Sequence, residues 1–153
     1  MRFDVGPPPA YDKSDWLLVK NHLGPVLHEE QPGVKIIGFD HNKDHLQEWA
    51  ETILTDPAAA EHVAGLAFHW YSGGQFDHVA SVHRKFPDAL LLATEAAEGG
   101  DHNYSTAPSW QMGEHYSSDI IGDLVAGASG WIDWNLWLEP GRQRDGFHFG
   151  PQH

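Results

Sequence analysis

The sequence contains no cysteine, which excludes disulfides and thiolate metal sites. The redox compartment stays open, because a chain without thiols suits any. Basic residues are scarce: 9 Lys and Arg stand against 22 Asp and Glu, a formal charge of −13 with His neutral. That imbalance argues against nucleic-acid binding, which needs a basic face to displace counterions. It also disfavours attraction to an anionic membrane surface. Long apolar runs are missing, so no transmembrane segment is expected; none approaches the ~20 residues that span a bilayer. Met1 to Lys13 has no apolar signal core. No Gly-rich phosphate loop follows any candidate strand, so a nucleotide-binding sheet loses its usual signature.

What is present is a globular composition: 153 residues, 41% hydrophobic and 12% aromatic, with seven Trp. The length suits one domain. Four runs read as buried strands: 34–39 (VKIIGF), 65–71 (GLAFHWY), 89–94 (ALLLAT) and 129–134 (SGWIDW). The second and third are almost continuously apolar, as in parallel strands covered on both faces.

Helical patterns separate them. Leu46, Trp49, Ala50, Ile53 and Leu54 form one apolar stripe. Asp56-Pro57 reads as an N-cap followed by Pro at the first helical position. Phe76, Val79, Val82 and Phe86 give a looser stripe that Pro87 ends. Tyr116, Ile120 and Leu124 are expected to carry the face of a helix closed by Gly127. Trp16, Leu17, Leu18 and Leu23 suggest a first helix that Gly24-Pro25 must break or restart. The order αβαβαβαβ implies right-handed crossovers and a parallel sheet. Residues 1–12, with Gly6-Pro7-Pro8-Pro9, read as a stiff lead-in, and 13–153 as the domain.

Two α/β architectures fit: a small open doubly wound sheet, or half of a (β/α)8 barrel. The strand ends favour the barrel, where chemistry collects at the C-terminal ends of strands. Those ends read Asp40-His41-Asn42, His69-Trp70-Tyr71, Thr94-Glu95-Ala96 and Asp133-Trp134-Asn135. Glu95 is the most informative position. A carboxylate closing a buried strand is held rigidly at the barrel mouth, and Tyr71 and Trp134 end neighbouring strands. An aromatic face stacks on a pyranose while a fixed carboxylate meets the anomeric carbon. The competing account makes Glu95 a loop acid and the Trp residues core packing.

These motifs resemble glycoside hydrolase family 30, in its glucosylceramidase (acid β-glucosidase) branch. The resemblance rests on Asn21-His22-Leu23-Gly24-Pro25, on 35–42 (KIIGFDHN) and on Leu54-Thr55-Asp56-Pro57. It continues through Phe68-His69-Trp70-Tyr71, Leu92-Ala93-Thr94-Glu95-Ala96, Gly113-Glu114-His115-Tyr116 and 130–135 (GWIDWN). It spans roughly residues 13 to 140 in the correct order, and several motifs in register are specific where one would not be.

The resemblance implies a TIM-barrel fragment, repeats five to eight, with four parallel strands alternating with helices. It implies hydrolysis of a β-glucosidic bond with retention, on glucosylceramide or a related β-glucoside, with no cofactor and no metal. Glu95 matches the nucleophile. Trp134 matches a glucose-contacting Trp, and His69 and Tyr71 match residues flanking the nucleophile. Asp40 and His41 match the strand-five end and line the mouth, so the resemblance implies that Trp134, Tyr71, His69 and Asp40 bind the substrate. Retention needs a second carboxyl ~5–5.5 Å away, supplied in the family by an Asn-Glu-Pro motif ending strand four. No Asn-Glu-Pro occurs here, and Glu139-Pro140 lies beyond strand eight. The isolated chain is therefore expected to lack activity and to need the missing N-terminal half of the barrel as a partner. The family's location is lysosomal or secreted.

After Pro140 the sequence departs from the family pattern. Arg142-Gln143-Arg144-Asp145 leads to Phe147-His148-Phe149, and no counterpart can be assigned there. Among 12 histidines, His41 and His45 are spaced i, i+4 beside Asp40 and Asp44. Such spacing can serve a metal on a helix, but Asp40-His41-Asn42 is expected in a strand-to-helix turn and no third ligand is indicated. The rival activities are an endo-β-1,6-glucanase of the same family and a non-catalytic sugar-binding module.

Overall fold

The computed structural model describes residues 15–97 and 110–134. The lead-in 1–12, Gly99-Gly100, Glu139-Pro140 and 142–149 lie outside them.

The chain enters through α1 (Asp15–Leu18), a π-helical turn (Val19–Leu23) and α2 (Gly24–Glu30). The restart expected at Gly24-Pro25 occurs: α2 begins at Gly24, with Pro25 in its first turn. Gly24 N–H donates five residues back to Val19 O, and this wide turn accommodates a proline that has no N–H of its own. Then follow β1 (Ile36–Asn42), a 3-10 turn (Lys43–His45), α3 (Leu46–Leu54) and α4 (Pro57–Ala60). The rest is β2 (Val63–His69), α5 (Phe76–Lys85), β3 (Leu90–Glu95), α6 (Trp110–Ala126) and β4 (Gly130–Trp131).

The four strands pair in parallel in the order β1-β2-β3-β4. Each crossover therefore steps the same way and the order never reverses. A doubly wound sheet requires a reversal, the switch point where its ligand binds. A singly wound series is the barrel arrangement, so these are four consecutive repeats of a (β/α) barrel.

The core lies between the sheet and its helices. Leu46, Ala50 and Ile53 of α3 pack with Val79 and Val82 of α5 against Leu66, Phe68 and Leu91. The two stripes read from the sequence supply these helix residues. Asp56 caps α4 by accepting from Ala58 N–H at 3.1 Å, with Pro57 at the first position. β2 and β3 lie close together at Gly65, where a Cβ would overlap the Leu90 carbonyl.

Three expectations are corrected. The second and fourth strands end at His69 and Trp131, so Tyr71 and Trp134 lie beyond their strands, not at their ends. The first strand runs 36–42, and Asp40-His41-Asn42 lie within it instead of in a turn. The strand survives because Phe39 and Asp40 take left-handed conformations (φ 72° and 55°) and bulge the ladder between Phe39 and His41. The face of α6 also differs. Leu124 is 48% exposed, whereas Asp119 and Asp123 are buried. A buried lysine on the facing turn rotates those two carboxylates inward. Gly127 closes α6 as expected, at φ 108°.

Candidate active site

The parallel register brings the ends of three strands level. Asn42 pairs with His69, and His69 with Glu95. On this rim four of the five residues singled out from the sequence come together.

Asp40 is the hub of the contacts. Thr94 Oγ1 donates to its Oδ1 at 2.6 Å, and His69 Nε2 lies 3.1 Å from the same oxygen. That Nε2 is also 3.7 Å from Glu95 Oε2. Glu95 retains 26% side-chain exposure, so it is held yet open to a ligand. Tyr71 follows β2, and its phenol faces the Glu95 carboxylate. Burial first, then the neighbouring Glu95 carboxylate, push the Tyr71 phenol far above its ordinary 10. The phenol thus stays neutral.

Imidazoles extend the rim. His41 stacks on His69 with centroids 6.4 Å apart and planes 17° apart, and His45 meets His41 edge-on at 6.5 Å. Burial, followed by the neighbouring His69, lowers the His41 pKa below 6.5.

Trp134 reaches the rim by its backbone, donating N–H to Ala96 O at 2.9 Å, next to Glu95. Its side chain is 48% exposed. No hydrogen bond or ring contact among the described residues joins its indole to the other four. Trp70 turns away from the mouth: it is buried and stacks on His115 at 4.6 Å.

Two features escaped the sequence reading. Thr94 orients Asp40, and nothing but its place before Glu95 marks it. The other feature is Lys43, buried with its Nζ 2.7 Å from Asp119 and 2.9 Å from Asp123. Its Nζ also lies over the rings of Phe76 (4.8 Å) and Phe68 (5.7 Å). Trp131 Nε1 donates to Asp119 Oδ2 at 3.3 Å. The available signal was a pair of aspartates at i, i+4 within an otherwise apolar helix face. Among the described residues no helix is long and apolar enough to cross a membrane.

The sequence model of the Glycosyl hydrolase family 30 TIM-barrel domain matches residues 11–145. Mouse lysosomal acid glucosylceramidase is 38% identical over 127 residues, covering 80% of this chain and 25% of that protein. The chain thus spans about a quarter of the length of that curated relative. Among solved structures, SrfJ from Salmonella typhimurium superposes with a TM-score of 0.68 at 33% identity, over 79% of this chain and 27% of that one. The endo-β-1,6-glucanase BT3312 superposes with a TM-score of 0.71 at 27% identity, over 83% and 29%.

Proposed function

We propose, from the premise that this chain belongs to glycosyl hydrolase family 30, that it carries the nucleophile side of a retaining β-glucosidase site. Glu95 attacks the anomeric carbon of a β-glucoside, the glycosidic bond breaks, and a glycosyl ester forms on Glu95. Water then hydrolyses that ester. The observation that carries this reading is the carboxylate of Glu95 itself. It ends β3 at the barrel mouth, partly open, with the Tyr71 phenol facing it and His69 Nε2 at 3.7 Å. Trp134 supplies an exposed indole for the sugar face, and His69 and Asp40 line the same rim.

Retention requires a second carboxyl ~5–5.5 Å from the first, protonated as the acid. We assign that group to barrel repeats outside this sequence. Among the described residues β1 and β4 each pair with a single strand, which leaves an edge on both sides for those repeats. The substrate class on this reading is glucosylceramide or a related β-glucoside, in a lysosomal or secreted setting. The likeness to the endo-β-1,6-glucanase supports a second substrate, a β-1,6-linked glucan, with the loops around the mouth deciding between them.

The test is covalent capture. The full-length protein carrying these residues is incubated with a 2-deoxy-2-fluoro-β-glucosyl inactivator, digested and mapped by mass. An adduct on Glu95, absent in Glu95→Gln, supports the reading. An adduct on another residue, or none, overturns it.

A further inference from the structure

We infer that Asp40 is a positioning residue for Glu95, acting through His69 and not through the sugar. The inference rests on the reading of Glu95 as nucleophile.

The backbone gives the first argument. Phe39 and Asp40 are consecutive non-glycine residues at positive φ inside a strand. Such conformations are costly and persist where the surroundings enforce them. The bulge removes Asp40 from the ladder: Phe39 pairs with Ala67 and His41 with Phe68, and Asp40 has no partner strand position. Its side chain is thereby re-aimed across β2 to Thr94 and His69, a known use of bulges.

The contacts give the second. Asp40 Oδ1 accepts from Thr94 Oγ1 at 2.6 Å and faces His69 Nε2 at 3.1 Å. A carboxylate only accepts, so the hydrogen must sit on Nε2. Asp40 thus selects the tautomer of His69. The imidazole is also held on its other sides. His41 stacks on its face, and Tyr71 meets it at 84° with centroids 6.1 Å apart. A ring fixed this way presents its Nε2–H edge to Glu95 Oε2, 3.7 Å away. Glu95 then lies beside the His69 edge, with the Tyr71 phenol as a further neighbour. An orienting partner behind a histidine is a common device for keeping a reacting group in register.

Two variants separate this from a structural or sugar-binding role. Asp40→Gly suits the left-handed backbone and deletes the carboxylate. Asp40→Asn tolerates the same backbone and keeps an oxygen that accepts from Nε2–H. The full-length protein is studied by imidazole nitrogen NMR and by inactivation with the 2-fluoroglucoside. The expected result is an Nε2–H tautomer of His69 in wild type and Asp40→Asn, lost in Asp40→Gly. The maximal inactivation rate of Asp40→Gly falls by about 10²-fold with little change in inhibitor affinity, and Asp40→Asn recovers most of it. An Nδ1–H tautomer in the wild type overturns the inference, and that measurement needs no variant to fold. So does an affinity loss with the rate intact, which would put Asp40 on the sugar. A wild type that is never labelled overturns the nucleophile reading instead, while the tautomer spectra still decide whether Asp40 governs His69.

Discussion

Lys43 and Asp123, separated by 80 positions, form an ion pair with no solvent-exposed surface. The ammonium lies 2.9 and 3.1 Å from the two carboxylate oxygens, and both side chains are 0% exposed. This pair joins the turn after β1 to α6 and so ties the first repeat to the last described helix.

Removing the lysine leaves two buried carboxylates without their cation. Lys43→Met is expected to cost about 3–5 kcal/mol, because the desolvation of Asp119 and Asp123 is no longer offset. Adding Asp123→Leu to that variant is expected to recover part of the loss. Urea unfolding of the two variants checks this; equal stability of Lys43→Met and wild type would show that the cluster is not a structural tie.

Burial, opposed by Lys43, pushes Asp123 up to about 7 from an ordinary 3.8. The folded chain therefore holds a proton here that the unfolded chain releases between those values. Stability from this group is greatest below about 4 and falls as pH rises towards 7. Asp123→Asn is expected to lose that slope. Melting temperatures of wild type and variant from pH 4.5 to 7.5 give the difference, and parallel curves would contradict the assignment.

His41 works in the opposite sense. Its pKa is lowered, so the folded chain resists protonation that the unfolded chain accepts near 6.5. Its contribution is present above that value and is lost as pH falls through it. A proton NMR titration should place the His41 midpoint below 6.5, and a midpoint above it would mean that Asp40 and Asp44 outweigh burial and His69.

Gly65 tests the closeness of β2 and β3. An added Cβ overlaps the Leu90 carbonyl, and backbone cannot yield as a side chain can. Gly65→Ala is expected to cost about 1–3 kcal/mol or more by overpacking. Because this contact sits at the start of the two strands that carry His69 and Glu95, inactivation by the fluoroglucoside should slow as well. Unfolding and labelling measured on the same preparation check both.

Much of the fold was legible because helices and strands leave periodic patterns. The stripe Leu46, Ala50, Ile53 and the cap Asp56-Pro57 are local signals, and local physics decides them. The face of α6 was not legible. Its apolar residues suggested one side, and burial of Asp119 and Asp123 gave another. The reason is Lys43, a partner no window along the chain can see.

The site divides the same way. The sequence alone determined that Glu95 closes a buried strand and that His69 closes its neighbour, with Tyr71 two residues beyond. Alternation and apolar runs place the strands, but the first and last ends read from them are each three residues off. Only the tertiary structure decided which of these groups touch. The left-handed bulge at Phe39 and Asp40 has no sequence signature, since neither residue is glycine, and it aims Asp40 at Thr94 and His69. Contacts of that kind depend on parallel register between strands some thirty residues apart, and register is a property of the assembled sheet, set by packing on both faces at once.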